Sequence, residues 1–325
     1  MAQNWKENLK QDPIPALLGI GSPILSCFTR RDLLDEDPGA PDQIWEDDKL
    51  QKILRNQNPD GSWSYPSRKK PNPNENYQLL ETYRNLGYLV ELYLMDQTQP
   101  AVNKAAEYIL SHQTEEGDIR GIFGSQYAPH YTAGMVELMV KAGIDQDPRI
   151  LRVFQWYENT RQVDGGWAWP LRTSKVKYED AIKKDAPVLS DYSKPFSHAL
   201  TGFVIRPFAA HNEYRNSQIA QQAGMLLKSR FFLPDKYVDR KSAEYWFKFQ
   251  FPFWWGNLLT VLDSLSMLGF SSADPDITRG LNWLTDNQSA NGFWPTGYGK
   301  GDRADQHQAW VSLAICRVLK RFSKE

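Results

Sequence analysis

One short pattern recurs along this chain: an apolar stretch, a glutamine, an acidic or amide residue, a glycine and usually an aromatic. It stands as Gln57-Asn58-Pro59-Asp60-Gly61-Ser62-Trp63, then as Gln113-Thr114-Glu115-Glu116-Gly117-Asp118. It returns as Gln162-Val163-Asp164-Gly165-Gly166-Trp167 and as Gln288-Ser289-Ala290-Asn291-Gly292-Phe293-Trp294. Taken on Gly61, Gly117, Gly166 and Gly292, the intervals are 56, 49 and 126 residues. The last is close to twice the others, so a copy without the motif is expected at 218–230, ending in Phe231-Phe232-Leu233-Pro234. A period of this length marks a repeat architecture, and each unit has room for two helices and two connections.

After each motif comes a Pro- or Asn-rich connection and a second helix, expected at 77–95, 130–142, 196–207, 254–268 and 307–322. Pro129, Pro195 and Pro252 suit a first helical turn, where a missing N–H costs nothing. Asn74 and either Asp302 or Asp305 suit the other two starts as caps. Gly143 and Gly269 suit the left-handed residue after a helix end. Runs such as Leu258-Leu259-Thr260-Val261-Leu262 imply helices buried on more than one face. No segment alternates with the period of a strand, so the chain reads as all-α. In the motif, Asp-Gly or Asn-Gly provides a positive-φ reversal. The glutamine can bond its own helix end and a neighbouring one, while the tryptophan covers the turn.

These motifs resemble the glutamine–tryptophan repeat of squalene and oxidosqualene cyclases, which protein prenyltransferase β subunits share in looser form. The resemblance implies an (α/α) toroid, a single domain with five helix pairs over residues 41–325. Residues 1–40 would then supply an N-terminal helical segment that completes the barrel as a partial sixth pair. It does not extend to the reaction. The protonating Asp-x-Asp-Asp of the cyclases is missing, the nearest approaches being Asp35-Glu36-Asp37, Asp145-Gln146-Asp147 and Asp274-Pro275-Asp276. The Asp-x-Cys zinc pair of the prenyltransferases is missing too, although Asp302-Arg303-Ala304-Asp305-Gln306-His307 is similar to their histidine region.

Candidate chemistry follows from placement. His130, His198 and His307 each fall near the start of a second helix, and Arg84 is expected level with His130. Converging helix N-termini would favour an anion there, and a ring of Arg84, His130, His198 and His307 would suit a diphosphate, a carboxylate or a metal. His307 with Asp305 forms a possible acid–base pair, Asp305 otherwise being a cap. Asp263 is either a cavity-facing acid or a structural group, and Glu91 with Glu137 reads as a scaffold pair at one repeat position. Trp63, Trp167 and Trp294 belong to the turns. Trp254, Trp255, Trp310, Tyr131, Phe196 and Phe203 are expected on second helices as an aromatic wall that binds substrate. His112 and His211 read as surface. The segment 170–193 is a long polar insertion, a lid or a solvated linker.

Composition limits the partners. With 38 basic and 39 acidic residues the chain has no footprint for nucleic acid. The longest apolar stretch, 16–28, is too short to span a bilayer, and Pro13 and Pro15 precede it, so a cytoplasmic location is expected. The partner is expected to be a small apolar or amphipathic substrate; no cofactor and no metal is assigned, and the oligomeric state is open. Three functions remain: an isoprenoid or other lipid-like substrate enzyme of the cyclase/prenyltransferase type, a non-catalytic binder on the same scaffold, and a carbohydrate-active toroid with paired acids.

Overall fold

The computed structural model describes residues 4–39, 42–66, 72–237, 242–298 and 302–324, with the side chains of 42–43 and 302–305 left out of the description. The described residues are all-helical and carry no extended strand. They fall into two compact units, one of Trp45–Leu226 with Asp235–Asp239, the other of Met1–Ile44, Leu227–Pro234 and Arg240–Glu325.

In the first of these units, Asp48–Arg55, Pro100–Leu110 and Pro148–Asn159 alternate with Tyr77–Tyr93, Pro129–Lys141 and His198–Ala210. The first helix of each pair starts on a side-chain cap or a proline, as at Asp47, whose carboxylate accepts the N–H of Lys49 and Leu50. The second helices start differently from the expectation at two places. Asn76, not Asn74, caps Tyr77–Tyr93 by accepting from Leu79 N–H. Ser197 caps His198–Ala210, so Pro195 and Phe196 lie before the helix. Pro129 does open its helix, and Pro207 is carried inside another that continues to Ala210. Pro129–Lys141 and His198–Ala210 pack along their lengths. Gly134 is required where the Tyr83 phenol lies directly on the helix backbone.

The turns after the first helices share one set of bonds. Gln57 Nε2 donates to the Gly61 carbonyl at 2.9 Å and to the Ala101 carbonyl at 2.9 Å, in the first turn of the next helix. Gln113 Nε2 donates likewise to Gly117 O at 2.9 Å and to Arg149 O at 2.7 Å. The glutamine thus serves its turn glycine and a neighbouring helix start rather than its own last carbonyls. Gly117 has φ +108, and an added Cβ would meet Arg152 O at 2.7 Å, so both conformation and contact demand glycine. Trp63 Nε1 returns a bond to Ile53 O at 2.7 Å.

The third turn corrects the alignment. Its positive-φ residue is Gly165, not Gly166, and the side chain that reaches the glycine carbonyl is Arg161, whose Nε donates to Gly165 O at 2.8 Å. Gln162 is displaced by one position and instead holds the carbonyls of Asp191 and Lys194 at 2.9 and 2.8 Å. Gly166 is a packing glycine on which the Phe196 ring rests.

A hydroxyl on the second helix completes each turn. The backbone N–H of Trp63, Ile119 and Trp167 donates to Thr82, Thr132 and Thr201 Oγ1 at 3.1, 3.3 and 3.0 Å. These threonines set the true register of the second helices. Glu137 and Arg206 both lie five residues after their threonine, whereas Glu91 does not share a level with Glu137. Glu91 and Glu137 meet instead through Lys141, at 2.6 and 2.8 Å, and Glu137 faces the buried Arg206 at 2.5 Å.

The other unit repeats the arrangement. Gln288 Nε2 donates to Gly292 O at 2.9 Å and to Gln11 O at 2.8 Å, just ahead of the Ile14–Gly19 helix. Trp294 N–H donates to Ser312 Oγ at 3.1 Å, on the long Asp302–Phe322 helix. Leu258–Met267 begins with a capping box of Asn257 and Thr260. Pro252, Trp254 and Trp255 therefore precede that helix, contrary to expectation. Pro23–Thr29 runs into a π-helical turn, Arg30–Leu34, whose Asp32 and Leu33 carbonyls accept from Lys320 Nζ at 3.0 and 3.2 Å.

Thr201 is buried and serves the Trp167 N–H, so Thr201→Val strands a buried donor. The urea midpoint should report a loss of about 2 kcal/mol, and Thr201→Ser, which keeps the hydroxyl, should lose less than half of that.

Candidate functional site

The unit built from Trp45–Leu226 and Asp235–Asp239 gathers a chain of aromatic rings. Tyr131 and His130 lie in the first turn of Pro129–Lys141, with ring centroids 4.3 Å apart. Phe123 lies 5.8 Å from His130 and 5.6 Å from Tyr131, and 5.7 Å from Tyr178. Phe203 and Trp169 present edges to His130 at 5.8 and 6.1 Å. Tyr178 donates its phenol to Glu75, which also accepts from Tyr77. Both phenols are pushed above their usual range, Tyr77 chiefly by the Glu75 bond and Tyr178 chiefly by burial. Glu75 and Tyr77 line a recess of ≈ 560 Å³ with Tyr65, Ser64, Gln78 and Gly121. The Tyr65 and Tyr77 rings stand 4.8 Å apart.

Four of the expected site residues belong to this unit, and they do not form one ring of charge. His130 is mostly packed among rings, and burial pulls its pKa down to about 4. Arg84 is half-exposed, faces Glu81 at 3.3 Å and lies over the Tyr65 ring at 6.0 Å. Tyr131 joins the ring chain, its phenol raised by burial. His198 is buried 3.4 Å from Asp235, which also accepts from Ser197 Oγ at 2.9 Å and Ala199 N at 3.0 Å. That makes His198 part of a helix-start tether. Counted from the bonded hydroxyls Thr82, Thr132, Thr201 and Ser312, the positions of Arg84, His130, His198 and His307 all differ, so the equal levels expected of them do not hold.

The remaining candidates belong to the other unit. His307 is part-buried on Asp302–Phe322, with burial lowering its pKa. Asp305 falls among the residues whose side chains lie outside the description. Trp310, one turn after His307, stacks on Phe251 at 5.6 Å and takes the edge of Phe28 at 5.3 Å. Arg317 lies 4.9 Å from the Phe28 ring and pairs with Asp32 at 2.6 Å. Trp254 is part-buried in the connection before Leu258–Met267, and Trp255 is 54% exposed there.

The acids have structural partners. Asp263 pairs with Arg321. Asp147 and Asp274 accept N–H groups at the starts of Pro148–Asn159 and Pro275–Asp286, and Asp35 pairs with Lys320 at 2.6 Å. The Asp-x-Asp pairs are therefore helix caps and ion-pair partners. Among the described residues the buried carboxylates are Asp118, Glu137 and Asp235, and each faces Arg120, Arg206 or His198. The described residues hold no group of three His, Cys, Asp or Glu placed for a metal. The histidines read as surface do otherwise: His211 is buried and bonded to the Asp145 carbonyl at 3.3 Å, and His112 is held by Asn76 at 3.0 Å.

The insertion is neither open linker nor free flap. The short helix Tyr178–Ala181 is pinned by the buried Gln126, which donates to Ala181 O at 2.9 Å and accepts from Val188 N at 2.9 Å. Pro170–Thr173 is held by Thr173 Oγ1, which accepts from Asp191 N at 3.0 Å. Its Tyr178 reaches Glu75 and Phe123, so the segment forms part of the ring cluster. Sequence reading missed Glu75, Phe123, Trp169 and Tyr65. Trp169 stands two residues beyond the turn tryptophan Trp167, and that doubled spacing is the one local signal for it.

Two outcomes follow. The unfolded chain protonates His130 near the ordinary pKa of 6.5 and the folded chain only near 4. Stability is therefore full above pH 6.5 and falls as the pH drops from 6.5 towards 4, by up to about 3 kcal/mol. The difference in denaturation free energy between the wild type and His130→Gln, followed over that window, should show this slope. Gln126→Leu should release the insertion, so that limited trypsin digestion cuts at Lys175, Lys177, Lys183 or Lys184 at least tenfold faster.

No family model and no curated protein matches the chain. Among solved structures, the type II terpene cyclase MstE from Scytonema, without ligand, aligns over 92% of this chain and 88% of its own at 12% identity and a TM-score of 0.47. A variant of that cyclase in complex with geranylgeranyl dihydroxybenzoate aligns over 93% and 87% at 13% identity, with a TM-score of 0.46. A protein from Actinoplanes aligns over 84% and 97% at 12% identity, with a TM-score of 0.30.

Proposed function

We propose that the protein is terpenoid cyclase/prenyltransferase-like and binds an isoprenoid or other lipid-like substrate against an aromatic surface. The observation that carries this is a pair of ring groups, Tyr65 with Tyr77 and Tyr178 with Phe123, Tyr131, His130 and Phe203, joined through the Glu75 carboxylate beside a recess of ≈ 560 Å³. Ring faces attract cationic centres by their quadrupoles, and the Glu75 carboxylate adds to that attraction. The glutamine–tryptophan turns that resemble those of the cyclases support the same reading. The (α/α) toroid, with its central cavity and with residues 1–40 completing it, belongs to this proposal, as does a cytoplasmic location. Among the described residues no helix is long and apolar enough to cross a membrane.

In this reading His307 with Asp305 is the acid–base pair, and the burial that lowers the His307 pKa favours the uncharged imidazole, the form that accepts a proton. A non-catalytic binder is the second reading, favoured by the commitment of the buried carboxylates Asp118, Glu137 and Asp235 to Arg120, Arg206 and His198. One experiment separates the two. The protein is incubated with squalene, geranylgeraniol and prenyl diphosphates, products are followed by mass spectrometry and binding by tryptophan fluorescence. Turnover that falls at least 100-fold in His307→Ala supports the enzyme; binding without turnover, unchanged in His307→Ala and Asp305→Ala, supports the binder. Neither binding nor turnover across the panel removes both.

A further inference from the structure

The Trp169 Nε1 lies 3.3 Å from His130 Nδ1. An indole N–H only donates, so His130 Nδ1 must be the acceptor and carry the lone pair. The ring proton of the uncharged imidazole is therefore on Nε2. Trp169 fixes the tautomer in the way a carboxylate or carbonyl partner does elsewhere, but with reversed polarity. Among the described residues no side chain or carbonyl accepts from that Nε2–H.

The surroundings decide what would. Phe123, Tyr131, Trp169 and Phe203 all stand within 6.1 Å of the imidazole, centroid to centroid. His130 is part-exposed, so its Nε2–H is open to solvent or to an entering ligand, while the surrounding rings make a charge there costly. The cations that could hold a multiply charged anion are engaged: Arg206 faces Glu137 at 2.5 Å, and Arg84 faces Glu81 at 3.3 Å. The imidazole itself stays uncharged at neutral pH, since burial holds its pKa near 4.

We propose that His130 Nε2–H donates to an uncharged oxygen, a hydroxyl, carbonyl or ester, at the polar end of an otherwise apolar ligand lying on this ring cluster. The inference rests on the reading of the cluster as a lipid-like binding surface, and it replaces the diphosphate expected from the histidine pattern. His130 is then a binding and orienting residue. Trp169 positions it and provides the optical reporter.

Two measurements test this. In the free protein, long-range ¹H–¹⁵N correlation spectra of the histidines at pH 7 should show His130 as the Nε2–H form, and Trp169→Phe should let the Nδ1–H form appear. Ligand titrations then compare geranylgeraniol, geranylgeranyl acetate, geranylgeranyl diphosphate and a C20 isoprenoid hydrocarbon of the same length. The alcohol and the acetate should bind about tenfold more tightly than the hydrocarbon, the value of one neutral hydrogen bond, and the diphosphate no more tightly than the alcohol. His130→Phe should abolish the preference while keeping hydrocarbon affinity, and His130→Gln, which keeps a donor, should restore part of it. An Nδ1–H tautomer, a preference that survives His130→Phe, or tightest binding by the diphosphate overturns the inference and leaves the lipid-binding reading standing. Binding of none of the four ligands overturns both.

Discussion

The structure depends on one polar bridge, made at three of the turns that follow a first helix. A donor at the helix end holds the carbonyl of its own turn glycine and reaches a carbonyl of a neighbouring segment. Gln57, Gln113 and Gln288 do both with a single amide nitrogen. The bridge satisfies backbone acceptors that would otherwise be buried without partners, and it ties each turn to a neighbouring segment. The glycine is forced because only a residue without Cβ lets the turn lie on the next helix backbone, as Gly117 does on Arg152. The tryptophan closes the turn from the other side, its indole bonded ten residues back to Ile53, Tyr157 or Leu284.

The second constraint is the hydroxyl that receives the N–H after the glycine. Thr82, Thr132, Thr201 and Ser312 lock each turn to its following helix and so choose which residues of that helix share a level. His130 is thereby carried among Phe123, Trp169 and Phe203, while His198, at another level, is drawn into the Asp235 tether. Two histidines of similar sequence position end with opposite roles. One is packed among rings with its Nε2 proton left to give, the other is bonded where a helix begins.

The helices themselves were legible. Their starts carry Asp47, Asp147, Asp274 and Pro129, and their ends carry Gly143 and Gly269 at positive φ. The turns were legible as turns, because a glutamine, a glycine and a tryptophan at fixed spacing have few other uses. The third turn was misread by one position since Arg161 and Gln162 are both long donors, and only the carbonyl each reaches tells them apart. The site was the least legible part. Phe123, Trp169 and Tyr178 lie in connections without periodicity, and Glu75 gains its meaning only when Tyr178, 103 residues later, folds against it.

What the sequence determined by itself was an all-α chain with a repeated glycine turn, because caps, breakers and positive-φ glycines act within a few residues. What only the tertiary structure decided was which polar groups are already engaged. Asp-x-Asp pairs became helix caps and ion-pair partners, Asp263 went to Arg321 and Glu137 to Arg206. The physical reason is that a hydrogen bond or ion pair depends on distance in space, which register and side-chain reach fix only after the helices have packed.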